Sequence, residues 1–196
     1  MLKRFGAAAL LLAPVLASPA LAHHPMESLA LAPSPVSGLL SGLAHPLLGP
    51  DHLLFLMALG LVGLQRSMRW TMALLVVGLS ASALGLWLPG LPGAEALVSL
   101  SLVVEGLVIA GRLPALSLIP AFALHGYVLS ASVIGWESTP IAFYLLGLLL
   151  SQGALLVVSL VAMRRVSLEI QPTVRQLLAG VMVGIGAAFT WTALLA

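Results

Sequence analysis

The sequence predicts an all-α membrane protein, a polytopic bundle of six transmembrane helices that follows a cleaved signal peptide. The first observation is composition: 61% of the 196 residues are hydrophobic and 7% are charged. A soluble domain carries about 25% charged residues, so this chain cannot cover a water-facing surface. The second is that apolar segments near the length of a bilayer-crossing helix recur to the end of the chain. The third is the placement of arginine between those segments.

Residues 1–22 have the three parts of a signal peptide. Lys3 and Arg4 form a basic start, residues 7–16 are apolar, and residues 20–22 read Ala-Leu-Ala, which suits a signal peptidase. The alternative is an uncleaved anchor helix, which the short apolar run disfavours. Cleavage leaves one membrane domain, residues 23–196, that begins with two histidines and a free α-amine.

Glycine and proline divide the mature domain into helices. We predict a short half-helix over residues 36–44, a Pro/Gly break over residues 46–50 and a first span over residues 51–64. Because the break falls at membrane depth, it must be covered by protein or line a water-filled cavity. The further spans are predicted at residues 70–88, 94–111, 114–131, 139–163 and 173–195.

The positions of the arginines predict how the six spans are oriented in the membrane. With six spans and an extracytoplasmic start, every arginine of the mature domain falls on the cytoplasmic side, as the positive-inside rule requires. Both mature termini are then extracytoplasmic, and the compartment is the bacterial inner membrane. These arginines are Arg66, Arg69, Arg112, Arg164, Arg165 and Arg175.

Charge and cysteine content exclude several functions. The chain has eight Lys and Arg against six Asp and Glu, and without Lys3 and Arg4 the two signs balance. There is no basic patch for nucleic acid. Cysteine is absent, which excludes disulfides and thiolate metal sites. Any bound metal must take nitrogen and oxygen ligands.

The polar residues of the first span suggest such ligands. His45, Asp51 and His52 lie within eight positions that also include Pro46 and Pro50. On a straight helix the two histidines would be roughly 10 Å apart, but a broken helix can bring them together. Imidazole and carboxylate suit nickel, cobalt or zinc. Asp51 as a helix cap and His45 as an interfacial residue are the alternatives.

Other ionisable residues extend this hypothesis. His125 lies in a later span, towards the outside, where it can meet the first-span cluster; the alternative is a buried histidine bonded to a carbonyl. Glu105 is either an inner relay for a cation or proton, or a partner of Arg112. His23 and His24 are a second candidate ligand group, because a terminal amine and an imidazole can chelate a metal together.

The first-span pattern resembles the HupE/UreJ family of hydrogenase and urease accessory membrane proteins, which are regarded as nickel or cobalt permeases. The family's His-x5-Asp-His motif is matched by His45, Asp51 and His52, and the resemblance covers most of the chain. It implies that these three residues handle the metal. The family's second motif is kept at His125 and Gly126, but the chain departs from it at Leu129, Ser130 and Ser132.

The resemblance implies passive or secondary uptake of Ni²⁺, with Co²⁺ next, and no prosthetic group. The transported metal ion and the lipid bilayer are the expected partners, along with a homo-oligomer or nickel-enzyme maturation proteins. Two alternatives stay open. One is a membrane metal chaperone or sensor without transport, and the other is an intramembrane metal-dependent hydrolase.

Overall fold

The computed structural model describes residues 32–88, 90–130, 138–166 and 171–195, and every regular element in them is helical. A 3₁₀ turn, Ala115–Ser117, precedes the fifth α-helix. The α-helices are α1 (Pro35–Leu48), α2 (Pro50–Gly63), α3 (Met68–Gly85), α4 (Ala94–Ile109), α5 (Leu118–Leu129), α6 (Ser138–Val166) and α7 (Pro172–Leu195). The all-α prediction is confirmed. The signal peptide, His23 and His24 lie outside the described residues.

Three of these helices, α3, α6 and α7, are long and apolar enough to cross a membrane, and α1 with α2 makes a fourth span if the bent pair counts as one. Helix α4 has 16 residues and rises about 24 Å, less than the hydrocarbon thickness of about 30 Å. Large apolar side chains such as Val76, Leu177 and Trp191 are exposed on the outside of the bundle. A membrane protein is therefore confirmed, while the count of six spans stays a prediction.

Helix α1 is longer than predicted, since it continues through Pro46 to Leu48. Proline has no N–H, so the carbonyl four residues earlier, that of Gly42, loses its helical partner. The Ser151 hydroxyl of α6 donates to this carbonyl at 3.1 Å. Because a neighbouring helix supplies the missing donor, the proline does not end the helix, and the predicted break over residues 46–50 narrows to Gly49.

Gly49 separates α1 from α2, which meet at a bend of 72°. A Cβ atom added to Gly49 would lie 2.6 Å from His52 Cδ2 and 3.3 Å from Asp51 Oδ1. Any side chain at this position would displace one of the two. The glycine therefore permits the bend and leaves room for the ionisable residues that follow it.

The helices pack mainly in pairs, α1 with α6, α3 with α5 and α4 with α7, and α2 contacts both α6 and α4. Most of α2 is buried, with Phe55 and Leu59 fully enclosed. They share one apolar core with Leu102 of α4 and Phe122 of α5. The residues at the start of α2 therefore lie inside the protein.

Two Gly-x-x-x-Gly patterns have different environments. Gly38 and Gly42 lie against the backbone of α6, where a Cβ on Gly42 would collide with the Tyr144 carbonyl. A Cβ on Gly180 or Gly184 would meet no atom of the described chain within 4 Å. The first pattern thus brings two helix backbones together. The second makes no such contact within the described protein.

This difference predicts the outcome of a matched pair of substitutions. Gly42→Ala is expected to destabilise the protein by about 1–3 kcal/mol, because the new methyl group overpacks a backbone contact. Gly180→Ala, also inside a helix, is expected to cost nothing. Thermal unfolding in detergent measures both, and each kcal/mol corresponds to about 2–4 °C in Tm. Equal losses in the two variants would contradict the role given to the α1–α6 contact.

Candidate metal site

Three histidines lie together at the bend between α1 and α2: His45 and His52 from the two sides of the bend, and His125 from α5, which is distant in sequence. The His52 ring centroid lies 5.6 Å from that of His45 and 4.9 Å from that of His125 of α5. All three rings are at most 5% exposed, and Asp51 is fully buried. His52 is thus in ring contact with both other histidines, inside the bundle.

Asp51 lies in the first turn of α2, where the helix dipole favours a negative charge. Its Oδ1 accepts the backbone N–H of His52 at 2.9 Å. The carboxylate therefore accepts one of the N–H groups at the start of α2, but it does so from within the first turn, because Gly49 is the N-cap and no side chain caps this helix. This hydrogen bond holds the candidate ligand next to His52.

Ser101 of α4 orients the His125 ring. Its hydroxyl donates to the Val98 carbonyl at 2.5 Å and lies 2.8 Å from His125 Nδ1. With its single hydrogen on the Val98 carbonyl, the Ser101 oxygen accepts from His125, and the proton of the ring is then on Nδ1. A neutral imidazole then has its lone pair on Nε2, the nitrogen that would bind a metal ion. Phe55 stacks on this ring at 4.2 Å.

Tyr144 of α6 orients the His45 ring in the same way. Its hydroxyl donates to the Leu129 carbonyl and lies 3.0 Å from His45 Nδ1. The tyrosine oxygen therefore accepts the Nδ1 proton, and the lone pair of His45 is again on Nε2. Histidines that bind metals have this arrangement, in which the second ring nitrogen donates to an oxygen that fixes the ring.

The described residues do not form a closed metal site. No group of three or more His, Cys, Asp or Glu side chains among them is placed to hold an ion without rearrangement. Metal–imidazole bonds are about 2.0–2.1 Å long, so simultaneous ligands must converge on one point. The histidines instead follow one another through the bundle as pairwise ring contacts.

Glu105 is a buried ionisable residue of α4. It lies four residues after Ser101, and therefore on the same face of the helix, one turn nearer the end of α4. The side chain is fully buried, and its carboxyl oxygens accept no hydrogen bond from any described residue. Arg112 is exposed. The interpretation of Glu105 as a partner of Arg112 is not supported.

The departures from the second motif have structural uses. The Leu129 side chain is buried in the apolar cluster around Tyr144, while its carbonyl holds the tyrosine hydroxyl. The Ser130 hydroxyl donates to the Ser82 carbonyl of α3. Ser132 lies outside the described residues. The positions that replace the missing histidine and glycine therefore pack and bond helices together.

Sequence reasoning missed Ser101 and Tyr144, which fix two of the three rings. Tyr144 belongs to a stripe of α6 with a four-residue spacing, in which each side chain is at most 1% exposed. A polar residue within such a stripe is a detectable signal, although it does not identify the partner. The stripe is formed by Tyr144, Leu148, Gln152, Leu156 and Leu160.

An apolar helical bundle that encloses a cluster of imidazole and carboxylate groups defines a class, the helical membrane proteins with buried ionisable sites. Within this class the chain belongs to the HupE / UreJ protein family, whose sequence model matches residues 10–189, or 180 of the 196 residues. Hydrogenase and urease accessory proteins related to nickel and cobalt transport make up this family. It is a transporter and accessory family and no known class of enzymes.

The family match confirms the resemblance predicted from His45, Asp51 and His52. Comparison with curated proteins gave no match, and comparison with solved structures gave none either. The metal roles of the individual residues therefore rest on their own chemistry and geometry.

Proposed function

We propose that this protein is an inner-membrane permease for divalent transition-metal ions, with Ni²⁺ as the first substrate and Co²⁺ as the next. It would supply metal for the maturation of nickel enzymes. The observation that carries the proposal is the contact of the buried His52 ring with both His45 and His125. Membership of a family related to nickel and cobalt transport supports the choice of metals.

Entry of the ion begins at the bend between α1 and α2. His45, Asp51 and His52 capture it, with help from His23, His24 and the mature α-amine. The ion then passes from His52 to His125, whose Nε2 lone pair is set by Ser101. Since this step exchanges one imidazole for another, the ion keeps a nitrogen ligand between His52 and His125.

Glu105 is the next residue that the ion meets. A buried carboxyl group without a partner among the described residues can release its proton when a cation arrives, and the carboxylate that forms pairs with the ion. The four-residue spacing from Ser101 places it about 6 Å farther along α4. Glu105 thus attracts the ion away from His125 and towards the arginine-rich end of the bundle.

The absence of a closed three-ligand site in the described chain fits a carrier. Transport requires binding strong enough for entry and weak enough for release. A complete set of four converging ligands, as in a structural metal site, would retain the ion. Pairs of histidines hold the ion for a shorter time than four converging ligands would. Transport would be passive or secondary, since the sequence has no nucleotide-binding loop.

The proposal includes the predicted topology. Residues 1–22 are removed as a signal peptide, and residues 23–196 form a six-span domain with both termini outside. The two shorter helices, α4 and α5, count as spans when the residues that flank them contribute to the crossing. In this topology α2 starts near the outer side, which places the histidines where an external ion arrives.

Uptake of radioactive ⁶³Ni²⁺ tests the function directly. A nickel-transport-deficient bacterium that expresses the protein is expected to accumulate several times more nickel than the same strain with an empty vector. Proteoliposomes made with the purified protein should show the same difference, which excludes an effect on another transporter. Competition with Co²⁺ and Zn²⁺ would order the substrates.

The proteoliposome experiment separates the alternatives. Stoichiometric Ni²⁺ binding without flux would indicate a membrane chaperone or sensor and not a permease. Metal-dependent turnover of a hydrolysable substrate would indicate the intramembrane hydrolase. Neither binding nor flux for Ni²⁺, Co²⁺ and Zn²⁺ would refute the proposal.

A further inference from the structure

A cavity of about 130 Å³ lies at the opposite end of the bundle from the α1–α2 bend. It is bordered by the last turns of α2 and α4, by the turn that follows α4, and by the start of α7. Its apolar wall includes Leu61, Val108 and Ile109. Its polar groups are Gln65, Arg66 and Arg175.

The Arg175 guanidinium is fixed in the wall of this cavity. Its Nε donates to the Ile109 carbonyl at 2.7 Å, and the Gln65 amide lies beside its two Nη atoms, which donate to the amide oxygen once the amide is turned over. A guanidinium has five N–H groups. The carbonyl takes one of them and the amide, in that orientation, takes one from each Nη, so the described residues leave two for another acceptor.

Arg66 brings a second guanidinium to the same cavity. Its Cζ lies 5.7 Å from the centroid of the Trp70 ring, so a cation–π contact positions it. Among the described residues that line the cavity, Arg66 and Arg175 carry positive charges and none has a carboxylate. Two cations beside an apolar wall repel each other, and a bound anion would relieve this repulsion.

We propose that this cavity is a binding site for a phosphate group. Guanidinium forks bind phosphate oxygens in pairs, and two of them can hold one phosphate from two sides. The volume of the cavity is several times the roughly 30 Å³ that one water molecule occupies in the liquid. This is enough space for one phosphate group. Glu105 lies one turn deeper on α4 and does not line the cavity.

Two sources could supply the phosphate. Basic pockets between membrane helices on the cytoplasmic side bind the head groups of anionic lipids, and the arginine-rich end of this bundle is the predicted cytoplasmic side. A free phosphate ion from the cytoplasm has the same chemistry. The site does not depend on metal transport, so its test is independent of the proposed function.

Purified full-length protein in neutral detergent is titrated with phosphatidylglycerol, with phosphatidylcholine and with inorganic phosphate. Binding is measured by native mass spectrometry and by the shift in Tm. The variant is Arg66→Gln/Arg175→Gln, and the matched control is Arg69→Gln/Arg112→Gln. The control removes two charges at the same end of the bundle from exposed residues that do not line the cavity.

One bound phosphatidylglycerol or phosphate per protein is expected in the parent and in the control. Loss of both cavity guanidiniums should weaken this binding about tenfold or more. Saturation by inorganic phosphate would identify the free ion as a ligand, and binding of phosphatidylglycerol alone would identify the lipid head group. Either result supports the site.

Equal affinity in the cavity variant and the control, or no binding of either probe by the parent, would overturn the proposal. Arg175 also donates a hydrogen bond to the Ile109 carbonyl, so its replacement can disturb folding. The single variant Arg66→Gln resolves this problem, because the Arg66 side chain makes no hydrogen bond to the described chain and its loss alone should still weaken binding. Unchanged affinity in a folded Arg66→Gln protein would also refute the site.

Discussion

Replacement of His52 by alanine is expected to reduce Ni²⁺ uptake at least tenfold. His52 is the ring that contacts both His45 and His125, so its loss removes the ligand that joins capture to transfer. Changing an outer-shell partner of a metal ligand costs about 10–100-fold in affinity or activity, and loss of a ligand itself should cost no less.

Uptake of ⁶³Ni²⁺ is compared at equal amounts of protein in the membrane, with Leu56→Ala as the control. Leu56 lies one turn after His52 on α2 and is 2% exposed, so its truncation leaves a buried space in the same helix. This control should keep most of the uptake. Equal losses in the two variants would indicate that packing of α2, and not the imidazole, matters for transport.

Sequence patterns predicted the bend and the cluster because both depend on local chemistry. Proline and glycine are the residues at which helices are most often interrupted, and histidines are rare enough in an apolar chain for their grouping to be visible. The end of α1 was predicted too early for a different reason. Its continuation through Pro46 depends on the Ser151 hydroxyl, which comes from a helix more than a hundred residues away.

The two Gly-x-x-x-Gly patterns show the same limit. They are alike in sequence, yet Gly42 touches the backbone of α6 and Gly180 meets no atom of the described chain. The tautomers assigned to His45 and His125 are a further case. They are set by Tyr144 and Ser101, and the register between helices that brings these hydroxyls to the rings cannot be read from spacing within one helix.

The substitution Glu105→Gln is expected to reduce Ni²⁺ flux about tenfold or more while binding at the histidines is retained. The amide has nearly the same shape as the carboxyl group but cannot lose a proton to become an anion, so it cannot draw a cation from His125. Removing one partner of a buried charged interaction typically costs a few kcal/mol, which corresponds to more than tenfold. Proteoliposome flux and equilibrium Ni²⁺ binding measure the two effects separately.

Glu95→Gln provides the matched control, because it makes the same chemical change on the same helix in the first turn of α4. The two positions are about 15 Å apart along the helix. Flux should persist in Glu95→Gln, so that a selective loss in Glu105→Gln assigns the effect to the buried charge. If Glu105→Gln transports Ni²⁺ like the parent, the ion leaves His125 by a route that does not follow this face of α4, and the carboxylate has another use.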